Sequence, residues 1–369
     1  MENKENIINP FGESIVKDYD KIFRELGVKP ITKEILQRIK NPNRYLRRGI
    51  SFAHIDFDKF LEAVERKEKV AVMSGIKPTS EFHLGSKMTA EQIIYFQKNF
   101  GAKVFYCIAD LEALVDNGIP LKESLKISID NVADLLALGL DPKNAYIYRQ
   151  SEEKRVTNLA YLFSRKITTN HMKNLYGERS LGLYFAAFTQ AGDILMPQLE
   201  EFGGPKIVLV PVGIDQAPHI FLTRDIANKF KDQFNFLPPT AIFHKFSRAL
   251  DGSTKMSKRN PMSMITLNDT PELVRKKVQM AVTGGQKTIE EQRKFGGDPD
   301  KSVVYELYYY HFVDDDNYVM KIREDYRFGK LLDGEMKKEI SEIIIKFLED
   351  HQKKKKKMLS KAKKILLGK

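Results

Sequence analysis

Between Val70 and Phe230, short apolar runs alternate with stretches of helical periodicity, and this alternation limits the fold more than any other feature of the chain. Val70 to Ser74, Val104 to Ala109, Ala145 to Tyr148 and Ile207 to Val212 read as buried strands. Ser86 to Phe100, Leu121 to Leu138 and Ala217 to Phe230 carry apolar residues at amphipathic-helix spacing. Buried strands separated by helices predict an α/β domain: a parallel sheet covered by helices, with right-handed crossovers bringing several loops to one edge. In such sheets that edge is the usual place for a ligand. After about Thr270 the strand signal stops. Leu273 to Ala281, Val303 to Phe312 and Met336 to Leu348 instead show heptad-like spacing, which predicts a second, all-helical domain.

A chain of 369 residues, 42% hydrophobic, has material for about two cores of ordinary size. The expected division is 1–50 as an N-terminal extension packing on the catalytic domain, 51–268 as the nucleotide-binding catalytic domain, and 269–369 as the helical domain with a lysine-rich end. Met1 to Ser14 alternates charges, and no apolar run approaches the ~18 residues of a membrane span. Neither export nor a membrane is expected. Cys107 is the only cysteine, which excludes an internal disulfide and a cysteine-based zinc site and fits a reducing, cytoplasmic setting. The formal net charge is +12, yet nine lysines and no acid follow Asp350, leaving about +3 elsewhere. Overall basicity therefore says little about an RNA-binding face. The lysine run reads either as a solvated helix end or as a contact for a phosphate backbone.

Two loops carry chemistry. The first, Ser74-Gly75-Ile76-Lys77-Pro78-Thr79-Ser80-Glu81-Phe82-His83-Leu84-Gly85-Ser86, joins a strand to a helix. The free N–H groups and dipole of a helix N-terminus favour phosphate, Gly85 leaves room for a flat base or ribose, and His83 is a compact donor. Taken alone, His83 reads more readily as a loop histidine with a structural hydrogen bond. The second loop is Asp251-Gly252-Ser253-Thr254-Lys255-Met256-Ser257-Lys258-Arg259. Lys255 and Lys258 can reach neighbouring phosphate oxygens, and mobile lysines on a closing loop suit a leaving pyrophosphate. On its own that run is ordinary solvated surface; paired with the first loop, in that order along an α/β sheet, it is far more specific.

Together, His83-Leu84-Gly85-Ser86 and Lys255-Met256-Ser257-Lys258-Arg259 resemble the two signatures of class I aminoacyl-tRNA synthetases. The likeness extends through Asn9-Pro10-Phe11, Leu46-Arg47-Arg48-Gly49-Ile50, Gly213-Ile214-Asp215-Gln216, Thr223-Arg224-Asp225, Thr288-Ile289-Glu290-Glu291, Phe295-Gly296-Gly297 and Asp314-Asp315-Asp316. In these segments the chain resembles the archaeal and eukaryotic tryptophanyl-tRNA synthetase family. The resemblance implies a Rossmann-like parallel-sheet catalytic domain, an all-helical anticodon-binding domain and a homodimer. It also implies ATP carried with Mg2+, L-tryptophan and tRNA(Trp) as substrates, without a structural metal. One departure is Ser86, where the family signature ends in histidine. A hydroxyl still donates one hydrogen bond but carries no charge, so activation is slower or is compensated by Lys77 or Lys87.

The resemblance also assigns a pocket. Asp193, in Thr189-Gln190-Ala191-Gly192-Asp193-Ile194-Leu195, falls where bacterial tryptophanyl and tyrosyl enzymes place a carboxylate at the far end of the side-chain pocket; a purely helical role is the alternative. Met73 stands where tyrosyl enzymes have a tyrosine that bonds the substrate hydroxyl, and eukaryotic tryptophanyl enzymes also have tyrosine there. A thioether serves a phenol poorly and walls a large ring well. A buried phenol hydroxyl lacking a partner costs ~1–3 kcal/mol, which favours tryptophan. Cys107 falls where eukaryotic members have glutamine near the indole. Glu112, Gln190 and Gln216 match holders of the α-ammonium and carboxylate, while Gly213 and Asp215 match positions for adenine and ribose. Lys77, Gly85, Ser86 and Ser257 are the other ATP-side positions, and His83, Lys255 and Lys258 the catalytic ones. Lys337, in Gly334-Glu335-Met336-Lys337, matches an anticodon contact; Gln286 and Lys287 replace an Arg-Asp pair of eukaryotic members. Three other readings stay open: a tyrosine-specific enzyme, a non-catalytic RNA-binding paralogue, and an adenylyltransferase for another metabolite, which leaves the helical third unexplained.

Overall fold

A computed structural model describes residues 7–11, 18–254 and 260–368. Lys255, Ser257 and Lys258 lie outside the described residues. Contact density divides the chain into two compact units: Met1–Thr79 with Thr89–Lys245 and Leu359–Lys369, and Ser80–Met88 with Phe246–Met358. This cut differs from the one drawn on hydrophobic periodicity, because the Phe82–Leu84 backbone is tied to residues far downstream. Leu84 N–H donates to Ile265 O at 3.2 Å and Leu267 N–H to Phe82 O at 2.8 Å.

The first unit holds a seven-stranded sheet: β1 (Lys29–Pro30), β2 (Ser51–Ile55), β3 (Ala71–Ile76), β4 (Lys103–Ile108), β5 (Ala145–Arg149), β6 (Val208–Gly213) and β7 (Thr240–His244). Their order is β1-β2-β7-β6-β3-β4-β5. The last five in that order are mutually parallel, whereas β1–β2 and β2–β7 are antiparallel. The four expected strands are four of these five parallel strands, running from β6 to the β5 edge, and β7 and β2 extend the sheet on the other side. Through β1 and β2 the segment before Ser51 adds its own edge strand to the sheet. β3 and β6 are neighbours from which the chain leaves in opposite directions, which makes their carboxyl ends the topological switch point.

Helices Leu84–Phe100 and Leu121–Ala137 lie between β3, β4 and β5 in the chain, as their periodicity predicts, and Ala217–Lys229 connects β6 to β7. Between β5 and β6 come Lys154–Ser164, Thr169–Tyr176 and Leu181–Leu195. Val72, Val104, Leu209 and Ile242 are fully buried in the sheet, and Phe57, Phe60, Phe96 and Phe100 stack edge and face beside it.

Among its described residues the second unit contains no strand longer than the isolated bridge at His83 and Thr266. Its helices include Pro271–Met280, Ile289–Phe295, Asp316–Arg327 and, as far as Met358, the 35-residue Asp333–Leu367. Val274, Val278, Val304, Ile340 and Ile344 form its core. A buried ion pair, Lys277 Nζ to Asp269 Oδ2 at 2.7 Å, closes the first helix onto the segment before it. Of the lysines after Asp350, Lys355 is buried and donates to Asn268 Oδ1 at 2.7 Å, whereas Lys353, Lys354, Lys356 and Lys357 are exposed.

Candidate active site

The parallel register aligns Gly75 with Cys107 and Cys107 with Tyr148, a row that projects to one face of the sheet. Gly75 is exposed although β3 lies inside the sheet. A Cβ there would sit 2.6 Å from the Cys107 carbonyl oxygen, so only glycine fits, and its missing side chain leaves an open floor. Met73, two residues earlier on the same face, is buried and bounds that floor with a thioether.

Helix Leu181–Leu195 carries Gln190 and Asp193, and it approaches helix Lys154–Ser164 closely at Gly192, where a Cβ would lie 2.8 Å from the Val156 carbonyl oxygen. The Asp193 carboxylate is buried, and each of its oxygens accepts a hydrogen bond. Its Oδ1 accepts from the Tyr148 hydroxyl at 2.8 Å, its Oδ2 from Gln150 Nε2 at 2.7 Å, and the Cys107 thiol also donates to it. Burial pushes Asp193 up to about 7 against the pull of these three donors, and the Glu112 charge adds to the rise. Burial and then the Asp193 charge push the Tyr148 hydroxyl and the Cys107 thiol well up, keeping both protonated as donors.

At the polar end, Gln190 Nε2 donates to Gln216 Oε1 at 3.2 Å, and Gln216 Nε2 to Asp215 Oδ2 at 3.4 Å. Asp215 and Gln216 occupy the turn after Gly213, the last residue of β6. The Lys77 ammonium lies 3.3 Å from Glu112 Oε1 and pairs with Asp116 as well. Burial works to lower its pKa, but the two carboxylates prevail and hold it raised. Lys77 thus neutralises the carboxylate matched to the substrate ammonium.

Beside this cluster stand Tyr176 and His219, which the sequence reading did not single out, and Asn9 and Phe11, which it quoted without a role. Tyr176 Oη is 2.9 Å from His219 Nδ1, and Phe11 packs its ring 5.5 Å from the first and 5.2 Å from the second. Asn9 accepts from Arg179 at 3.2 Å, fixing the Asn9-Pro10-Phe11 segment. Burial, with the Lys77 charge adding and Asp215 opposing, lowers His219 to about 3, so it stays neutral. Tyr148 and Gln150 were also missed. The signal was available: both lie at or just past the carboxyl end of β5, one of the strands that the apolar pattern predicts.

In the second unit, His83 folds back on its own helix. Its Nδ1 accepts from Gly85 N–H at 3.1 Å, and a Cβ on residue 85 would fall 3.0 Å from the imidazole Cε1. This is the physical reason for the His-x-Gly spacing. An accepting Nδ1 places the proton on Nε2, which lies 3.5 Å from Ser86 Oγ. Lys87 cannot compensate for Ser86: its buried ammonium donates to His311 O at 2.8 Å and lies 5.3 and 5.0 Å from the rings of Phe312 and Phe347. Around the second signature only the stem is described. Ser253 donates to Asp251 Oδ1 through both N–H and hydroxyl, Asn260 donates to Asp251 Oδ2 at 3.1 Å, and Leu250 N–H to Ser263 O at 2.7 Å. Lys337 donates to Gln279 O at 2.7 Å, and burial lowers its pKa against the opposing charge of Asp333.

Comparison with known proteins joins these parts. The family model for class I tRNA synthetases (W and Y) matches residues 65–349. A tryptophan–tRNA ligase of Hyperthermus butylicus is 43% identical over 352 residues, 94% of each chain. One from Aeropyrum pernix is 43% identical over 364 residues, 97% of this chain and 96% of its own. The crystal structure of tryptophanyl-tRNA synthetase from Aeropyrum pernix K1 superposes with a TM-score of 0.91 at 42% identity, covering 97% of this chain and 98% of that one. With sheet order, glycine-floored pocket and both signature loops in the matched span, the chain belongs to the class I tRNA synthetases of the W and Y family.

Proposed function

We propose that this protein is a tryptophan–tRNA ligase that activates L-tryptophan with ATP and transfers it to tRNA(Trp). The carrying observation is the exposed Gly75 floor, with buried Met73 two residues before it where a phenol would need a polar partner and the Asp193, Tyr148 and Gln150 cluster in the strand row beyond Cys107. In the first step a carboxylate oxygen of tryptophan attacks the α-phosphorus of ATP; the bond to the bridging oxygen breaks and pyrophosphate leaves. In the second, a terminal ribose hydroxyl of tRNA attacks the acyl carbon and AMP leaves. Glu112, Gln190 and Gln216 hold the zwitterion, and the substrate ammonium takes over from Lys77 on Glu112, releasing Lys77 toward phosphate. Gly213 and Asp215 position ribose and adenine. His83 donates from Nε2 to the charge that develops in the transition state, with Gly85 and Ser86 beside it on the same helix start; Lys255 and Lys258, with Ser257, act on pyrophosphate as the loop closes. Mg2+ enters as the ATP complex.

The helical unit binds the anticodon end. Lys337 supports this, as do Phe295 and Phe328, 64% and 66% exposed, with the Lys294 ammonium 5.1 Å from the Phe295 ring: exposed rings beside cations suit unstacked bases. A homodimer is supported by the exposed apolar residues Leu114, Val115, Leu181 and Tyr161, the last with its ring 4.8 Å from that of Phe185. Among the described residues no helix is long and apolar enough to cross a membrane, and we place the enzyme in the cytoplasm.

The chain contains no tryptophan, so indole emission from a complex comes from the ligand alone. Bound L-tryptophan is expected to shift its emission to the blue, and excess tyrosine to leave that shift in place. Displacement by tyrosine at comparable concentration overturns the choice of substrate.

A further inference from the structure

Gln150 follows directly on β5 and is 2% exposed. Its Nε2 donates to Asp193 Oδ2 at 2.7 Å, while its Oε1, equally buried, has no hydrogen-bond partner. Ionised, the Asp193 carboxylate only accepts, and in that form it fixes the amide the right way round: NH2 toward the carboxylate, carbonyl away from it. An unpaired buried amide oxygen is unfavourable, and a donor that arrives with a ligand removes that penalty. Asp193 itself already receives the Tyr148 hydroxyl, the Gln150 amide and the Cys107 thiol.

Taking the pocket as the tryptophan site argued above, we propose that the Gln150 carbonyl, rather than the Asp193 carboxylate, accepts the indole N–H. Asp193 is then a positioning residue. It orients Gln150 and holds the Tyr148 hydroxyl hydrogen, and Tyr148 shares the sheet row with Cys107 and the open floor at Gly75. The arrangement also discriminates. An indole N–H needs one acceptor, which Gln150 supplies. A phenol oxygen needs a donor as well, and the Tyr148 hydroxyl and Cys107 thiol hydrogens, with one of the two Gln150 amide hydrogens, are committed to Asp193.

The test is amino-acid-dependent pyrophosphate–ATP exchange by the full-length protein with two ligands, L-tryptophan and its benzothienyl-alanine isostere, in which sulfur replaces the N–H. The parent is expected to prefer tryptophan by ~10²-fold or more in kcat/KM. In Gln150→Leu the preference falls to a few-fold, through a raised KM for tryptophan with little change in kcat. Gln150→Asn keeps an amide but withdraws it by one methylene, and it carries the same expectation should the leucine variant not fold. Undiminished preference in either folded variant overturns the assignment of Gln150 and leaves tryptophan activation standing. A parent with no tryptophan-dependent exchange overturns the functional reading instead.

Discussion

His83 is held by one ring nitrogen and proposed to act through the other. Gly85 N–H on Nδ1 fixes both the ring orientation and the tautomer, so Nε2–H is set before any ligand arrives. His83→Ala is expected to raise the activation barrier by ~2–4 kcal/mol, the worth of one preorganised donor to developing charge, with tryptophan binding within about twofold of the parent. Exchange slowed by less than twofold would return His83 to a structural role. The residue scale is also where reading the sequence stops short. Asp193 was visible in its helix, but that its two oxygens were already engaged depends on Tyr148 and Gln150, some 45 residues earlier and on the other side of a crossover. Lys87 shows the opposite error: adjacency to Ser86 made it look like a spare cation, and the helical pitch turns its ammonium toward His311 O.

At the scale of elements, periodicity found the strands whose side chains are apolar and overlooked those whose buried residues are polar. β2 contains Ser51 and His54, and β7 begins at Thr240 after Pro238-Pro239 and ends at His244, all four buried. Each is satisfied inside the fold: Ser51 Oγ donates to Gln92, His54 Nδ1 accepts from Phe57 N–H, Thr240 Oγ1 donates to Val208 O, and His244 Nε2 is 3.4 Å from Thr89 Oγ1. A hydrophobic pattern cannot register such pairs. The helical third was legible as helices but not in its tight turns. Gly296 has φ +73°, and a Cβ there would fall 1.8 Å from the Arg327 carbonyl oxygen. Gly296→Ala is therefore expected to destabilise the protein by ~3 kcal/mol or more, read as a lowered midpoint in denaturant at unchanged slope. A midpoint equal to the parent's would contradict the packing described for Ile289–Phe295 against the turn after Asp316–Arg327.

On the scale of the whole molecule, the charge that looked global is local. Nine lysines follow Asp350, and among the described ones the buried Lys355 donates to Asn268 rather than facing solvent. The polar residues proposed to take the amino acid lie instead within one unit, around a glycine that only the sheet register makes indispensable. The account's central claim is that this pocket takes an indole and that the chain uses it to make an aminoacyl-adenylate. Pyrophosphate–ATP exchange measured with tryptophan and tyrosine in parallel tests it most directly. The expected result is exchange that requires tryptophan, with tyrosine poorer by ~10²-fold or more in kcat/KM, the margin that a missing partner for the phenol hydroxyl supplies. Exchange with tyrosine at a comparable rate, or none with either amino acid, would contradict it.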